Sequence, residues 1–405
     1  MPRGFFAEPF PPRDHFQIRC ANSEMVGATG IEPVTFPMSR EHSTAELRAH
    51  FAGACKARRA LFKGKFWEVQ DPRQRPRRKP WRPPDRSTYN PWFPAPYAAQ
   101  PHPPVITPAS LPTNPIEVLE PTRHSVPLVF ASPHSGSFYP PEFVAASPLD
   151  LAMLRRSEDC YVDQLFSDAP SLGAPLVRAL YPRAYLDVNR EPYELDPEMF
   201  NDPLPAFANT TSVRVGAGLG TIPRIVATRR EIYRTKLYFD EAERRIEGVY
   251  RPYHRALAGL IARAHEQFGF CILIDCHSMP STGLPVTAVG DPRTIDMVLG
   301  DRTGLSCAPA VTDTVDAFLS QRHYRVTRNN PYAGGFTTQH YADPGNGTHV
   351  LQLEINRNLY VDEATLEPRP GFSVLKADIG ALMARLVALA GEWGTALRPE
   401  RLSAE

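Results

Sequence analysis

This chain has almost no net charge. Its 405 residues carry 45 Lys and Arg against 44 Asp and Glu, a formal charge of +1. Such a balance argues against a protein built as a whole to bind nucleic acid or an anionic surface. Cysteine is scarce: six residues, at 20, 55, 160, 271, 276 and 307, with no CxxC pair. That excludes a disulfide framework and suits reduced thiols. No 18-residue apolar run occurs, and the N-terminal MPRGFFAEPFPPRDHF lacks the apolar core of a signal peptide. A cytoplasmic protein without a membrane segment is expected. Gly216 to Gly220 is glycine-rich but has neither GxGxxG nor Walker spacing, and Thr221-Ile222-Pro223 follows it. It reads as a mobile loop over a site, not as a phosphate cradle. A GxSxG elbow is also missing, and Ser135 and Ser278 have no evident His–Asp order around them, which weakens a serine mechanism.

Proline is abundant, and roughly half of the 44 lie before residue 120. Residues 1–100 hold 17 Lys and Arg against 9 Asp and Glu, so the basic excess sits there and the remainder of the chain is acidic. In Pro72-Arg73-Gln74-Arg75-Pro76-Arg77-Arg78-Lys79-Pro80 proline removes donors and like charges repel. A nucleic-acid-binding arm is one reading of that run; a solvated, disordered extension over residues 1–115 is the preferred one. Ser43 to Lys65 could form a helix with nothing obvious to pack on. Gly27 to Thr35 looks like peptide translated from a non-coding region upstream of a real start, so the extension is expected to lie outside the functional protein.

The folded domain is expected over 116–400. Its centre is Cys271-Ile272-Leu273-Ile274-Asp275-Cys276-His277-Ser278-Met279. Four apolar residues followed by an acid, a thiol, a histidine and a hydroxyl predict a buried strand ending in a polar site. Ligands bind beyond the carboxyl ends of such strands, and on a pleat Asp275 and His277 point the same way. A lone histidine there is as readily a satisfied core group. The pattern, however, recurs: Ser125 to Ser132 predicts a strand, followed at once by Pro133-His134-Ser135-Gly136. Residues 148–168 carry apolar positions at helical spacing with Glu158 and Asp159 between them, acids that are either a solvated helix face or metal ligands. Ala179 to Glu191 predicts a strand with a polar end, where Arg190 suits a substrate carboxylate or a structural ion pair with Asp187 or Glu191.

Downstream, 239–267 predicts an amphipathic helix broken or kinked at Pro252, with Tyr253 and His254 at the break. Pro285 to Gly290 reads as a short strand, 292–304 as helical and Tyr324 to Thr327 as a strand. Arg328 to Thr338 has turn chemistry, and its Asn, Gly and Thr residues, Asn330 and Gly335 among them, could offer donors to an anion. His349 to Arg357 alternates, with Gln352, Glu354 and Asn356 on one side. An acid in so apolar a strand is costly to bury without a purpose, which makes Glu354 a candidate general base. A helix over 372–395 closes the domain. Imidazole and carboxylate ligands with an open position suit zinc, and a nearby Glu could then carry a proton to a leaving amine. Hydrolysis of an amide whose acid group is held by Arg190 is the expected chemistry.

These residues also support a family. The sequence resembles the N-formylglutamate amidohydrolases, which deformylate N-formylglutamate in histidine breakdown. The resemblance rests on SPHSG at 132–136, DVNRE at 187–191, PYH at 252–254, LIDCHSMP at 273–280, NNPYAGGF at 329–336 and LQLEINRNLY at 351–360, in that order. It is similar at greater distance to the zinc carboxypeptidases and aspartoacylases. The resemblance implies a three-layer α/β/α sandwich with a mixed, mostly parallel sheet. It implies one zinc held by His134, His277 and an acid, with Glu354 as base and Arg190 on the substrate carboxylate. Asn189, Asn330 and Gly335 are further candidates for substrate contact. One departure is plain: the wider group has its acidic ligand three residues after the first histidine, and here that residue is Ser137. Glu158, or else Asp159, is expected to supply the acid.

Two alternatives stand beside this reading: an amidohydrolase for another N-acyl amino acid, and a non-catalytic protein on the same fold. The expected partner is a small molecule, with neither membrane nor nucleic acid, and the oligomeric state is open. Removing residues 1–110 should leave folding and activity intact, as checked by a thermal melt and by turnover on the truncated chain.

Overall fold

A computed structural model describes residues 114–226, 229–281 and 295–397. The extension, the Ser43 to Lys65 helix and the Pro285 to Gly290 strand lie outside them. Within them seven strands form one sheet: β1 Ile116–Leu119, β2 Leu128–Ser132, β3 Leu176–Ala179, β4 Cys271–Met279, β5 Met297–Gly300, β6 Val326–Arg328 and β7 Thr348–Asn356. Their spatial order is β1-β3-β2-β4-β7-β5-β6. The β3–β2, β2–β4, β4–β7 and β5–β6 pairs are parallel, while β1–β3 and β5–β7 are antiparallel. The sheet is therefore mixed and mostly parallel.

Three long helices cover it: α1 Arg251–Phe268, α2 Pro309–Gln321 and α3 Gly371–Leu397. Alternation along each strand divides the core into two. Val129 and Ala131 of β2, Cys271 and Leu273 of β4 and Val350 of β7 belong to one cluster, with Tyr253, Leu257, Leu260, Ile261 and Ala264 of α1. Leu128, Phe130, Ile272, Ile274, Leu351, Leu353 and Ile355 belong to the other, with Val311, Val315 and Leu319 of α2 and Leu375, Ile379, Leu382 and Leu386 of α3. The helical positions recur at three- and four-residue intervals, one apolar stripe per helix. This is the three-layer α/β/α sandwich. Each fully buried side chain of this size contributes about 1.5–3 kcal/mol.

Every residue of β4 and β7 is buried, and both strands change character along one face. Cys271 and Leu273 pack under α1; Asp275 and His277 continue that face as polar groups. On β7, Val350 gives way to Gln352, Glu354 and Asn356. Parallel pairing sets His277 opposite Glu354 and Asp275 opposite Gln352. The site is thus the carboxyl-end continuation of one core face.

Four expected elements differ. Residues 148–168 form short helical pieces, Leu151–Leu154 and Val162–Leu165, with Arg155–Ser157 as a 3₁₀ turn between them. Glu158 is extended and Tyr161 has φ 62°, so the apolar spacing serves two separate pieces. The strand anticipated from Ala179 ends there, and 180–191 is turns. The break anticipated at Pro252 is a π turn, Ile246–Tyr250, between Phe239–Arg245 and α1. A wider turn there lets the chain pass the proline, which lacks a backbone N–H, without ending the helix. Within 292–304 the described segment holds β5, because four apolar residues suit a buried strand as well as a helix. Ile274→Ala, which empties space on the α2–α3 face, should cost about 2–5 kcal/mol in denaturant unfolding.

Candidate metal and active site

The site is assembled from chain turns fastened to strand ends. Gly136, next but one after His134, lies so close to the Tyr181 carbonyl that a Cβ there would collide with it. The Asp159 N–H donates to the His134 carbonyl at 3.0 Å. His134, Asp159, Asp187, Asn189, Asp275, His277 and Glu354 are all buried.

Asp159 stands between the two imidazoles. Its Oδ2 is 3.1 Å from His277 Nδ1 and 3.4 Å from His134 Nδ1, and the three ligand atoms lie within 4.8 Å of one another. Each ring is held from behind by another carboxylate: His134 Nε2 lies 2.7 Å from Asp187 Oδ1, and His277 Nε2 lies 3.0 Å from Asp275 Oδ2. Rings that donate from Nε2 present the Nδ1 lone pairs inward, beside an acceptor-only carboxylate. His134 Nδ1 is buried and has no hydrogen-bond partner. Buried polar atoms are almost always paired, so lone pairs facing one another in this way fit a cation among them. Carboxylate-backed histidine is the arrangement that orients imidazole ligands. His134, Asp159 and His277 thus form a three-donor pocket in which a metal ion could sit.

The acidic member is Asp159 and not Glu158. Glu158 is bound by Arg155 Nε at 3.0 Å and by the Cys160 thiol at 3.2 Å. Adjacent residues on an extended chain point to opposite sides, so only one of the two acids reaches the histidines. Ser137 is exposed and contributes nothing.

Electrostatics bind the cluster together. Burial alone would raise the Asp159 pKa, but contacts to His134 and His277 and the nearby Arg357 hold it well below the usual carboxylate range. Arg357 Nη2 donates to Asp159 Oδ1 at 2.9 Å. In the metal-free protein burial would lower the His277 pKa; Asp275 and Asp159 outweigh it and raise it well above 6.5. Glu354, desolvated and near Asp159 and Asp275, is pushed up to about 7 against the opposing pull of His277. One of its oxygens accepts from Gln352 Nε2 at 2.8 Å.

A cavity of about 400 Å³ opens onto these groups. Lining it are His134, His277, Glu354, Gln352, Arg183, Arg190, Arg214, Arg357 and Tyr332. Arg190 reaches it from the 187–191 turn, with Nη2 3.6 Å from Asp187 Oδ2 and Nε donating to the Leu219 carbonyl. Asn189 turns inward: its Oδ1 accepts from the Thr337 N–H at 2.7 Å, and its Nδ2 donates to Asp275 Oδ2 at 3.3 Å, beside His277. Gly335 lines the cavity, but its N–H donates to Gln352 Oε1, and a Cβ there would sit 2.7 Å from the Asn189 amide. Asn330 is exposed and does not line the cavity; its carbonyl accepts from Thr327 Oγ1. His254 is a packed core histidine between the Val188 carbonyl and the Tyr341 hydroxyl, and burial lowers its pKa to about 3. Sequence reasoning missed Arg183, Arg214 and Arg357. Arg357 stands in the LQLEINRNLY run, but nothing in its spacing revealed that it returns to Asp159.

A model of the N-formylglutamate amidohydrolase family matches residues 126–361. The chain belongs to that family. It is thereby an enzyme of the amide-hydrolysing class. An N-formylglutamate deformylase of Pseudomonas aeruginosa is 31% identical over 250 residues, which is 61% of this chain and 86% of the relative. One from Pseudomonas putida is 29% identical over 270 residues, covering 64% of this chain and 93% of the relative. The crystal structure of an N-formylglutamate amidohydrolase from Ralstonia eutropha JMP134 aligns with a TM-score of 0.65 and 35% identity, over 69% of this chain and 99% of that one. The family segment begins just before β2 and ends after β7, so it contains every residue of the cluster. No helix of the described residues is long and apolar enough to cross a membrane.

Metal titration separates the two adjacent acids. Asp159→Asn should weaken divalent-metal binding by at least about 10–100-fold, the scale seen when even an outer partner of a ligand is lost. Glu158→Gln should bind as the parent does, both read by calorimetry on chelated protein.

Proposed function

We propose that the protein hydrolyses N-formyl-L-glutamate to L-glutamate and formate, using zinc held by His134, Asp159 and His277. The observation that carries this reading is the convergence, in one cavity, of a three-donor pocket, a buried acid titrating near neutrality and several arginines. The names of the relatives support the substrate. Two imidazoles, one carboxylate and an open side suit zinc among the divalent ions. When bound, such an ion supplies Lewis acidity and lowers the pKa of water.

The protein's own residues supply the rest. Arg190 takes the substrate's α-carboxylate through the donors it does not spend on Leu219 and Asn189. Glu354 removes a proton from the attacking water and delivers it to the leaving amine nitrogen, and a carboxyl raised to about 7 suits both transfers. Arg183, fixed by Asp187 at 2.8 Å, keeps a positive charge on the cavity wall where the carbonyl oxygen gains negative charge. Asn189 and Gly335 act by position, holding Asp275 and Gln352. A place in the cytoplasm and in histidine breakdown follows from the resemblance alone.

Formate release from N-formyl-L-glutamate is the test. Release should stop on chelation and return with zinc. Glu354→Gln should retain metal and lose about 10²–10⁴-fold in kcat; a change confined to KM would contradict the base role. Because the base must be ionised, kcat/KM should rise with pH through a limb above 4.5, Glu354's ordinary value, and no higher than about 7. Bound metal moves that limb downward, and the limb should be absent from Glu354→Gln.

A further inference from the structure

The cavity holds more positive charge than the α-carboxylate of a substrate needs, since Arg183, Arg190, Arg214 and Arg357 all line it. Arg183 is held by Asp187 at 2.8 Å, and Arg357 by Asp159 at 2.9 Å and Ser278 Oγ at 3.1 Å. Arg214 is held differently. Its ion pair with the buried Glu194 is 3.8 Å long, beyond hydrogen-bond reach, and its side chain is 40% exposed while lining the same cavity. Arg214 belongs to a single helical turn, Val213–Gly216, whose Ser212 cap accepts from the Val215 N–H at 3.0 Å.

The loop ties the backbone at Arg214 to the Arg190 side chain. Leu219 donates its N–H to the Arg214 carbonyl at 2.8 Å and accepts Arg190 Nε on its own carbonyl at 2.9 Å. Of the two arginines Arg190 is the more buried, its side chain 12% exposed against 40% for Arg214, so Arg214 is the outer one. The two guanidinium groups are near enough that Arg214, after burial and Arg183, disfavours the charged form of Arg190. Two cations facing one cavity are relieved by an anion between or across them.

We propose that Arg214 is the specificity-determining residue, binding the side-chain carboxylate of an acidic N-acyl amino acid while Arg190 binds its α-carboxylate. This rests on the function proposed above and names the half of the substrate it left unassigned. In glutamate the α-carboxylate is one bond from the carbon bearing the amide, and the side-chain carboxylate is three. The inner arginine takes the nearer group and the outer arginine the outer one. A neutral isostere, N-formyl-L-glutamine, fits the same space and loses the charged contact.

The test measures kcat and KM for N-formyl-L-glutamate and N-formyl-L-glutamine with zinc-loaded parent protein, Arg214→Gln and Arg214→Lys. The parent should prefer the acid. In Arg214→Gln the preference should fall about 10–100-fold, the scale of a hydrogen bond to a charged group, mostly through KM for the acid. Arg214→Lys, which keeps the charge but not the fork, should fall in between. An equal loss on both substrates, or an unchanged ratio, overturns the assignment to Arg214 while leaving the deformylase reading standing. A parent protein that releases no formate from N-formyl-L-glutamate overturns that reading and this assignment together. The ratio is taken within one variant, so partial misfolding cancels.

Discussion

The register between β4 and β7 governs this molecule. Parallel pairing sets His277 beside Glu354 and Asp275 beside Gln352, all on the face that α1 covers further back. A slip of one residue would turn the whole polar set into the opposite core, where Ile274, Leu351 and Leu353 now pack. The apolar residues of both strands therefore position the catalytic groups indirectly. Each Leu or Ile that must face α2 and α3 forbids its polar neighbour from doing so.

On that frame the site is a balance of buried charges. Asp159, Asp187, Asp275 and Glu354 are all removed from water, and each isolated charge would be expensive there. Arg183 and Arg357 offset part of that, and the two imidazoles stand between carboxylates. Glu354 is the member left least compensated, and its pKa is displaced upward accordingly. The acid best suited to carry a proton is thus the one the surrounding charges stabilise least.

The central strands were legible because long apolar runs ending in polar residues admit few other structures. His134, His277, Arg190 and Glu354 were legible for the same reason, each standing at or beside such a run, and the structure gathers all four around one cavity. Adjacent acids were not separable. Whether Glu158 or Asp159 turns inward depends on the backbone at 158–161, where a left-handed Tyr161 ends any helical reading. The 180–191 segment read as a strand with a polar end, yet its turns let Asp187, Asn189 and Arg190 each face a different partner. Arg214 and Arg357 carried no local signal at all, since their roles exist only through distant chain segments.

Arg357 follows β7 directly, and β7 lies between β4 and β5 in the sheet. The strand nearest the C-terminus of the domain is therefore inserted into the middle. Until it docks, β5 and β6 have no neighbour joining them to the rest, Glu354 has no partner strand, and Asp159 lacks its guanidinium. On a ribosome the first four strands can pair early, while the reactive cluster comes into being only with the last. A half-made chain would carry both histidines and still have no finished centre.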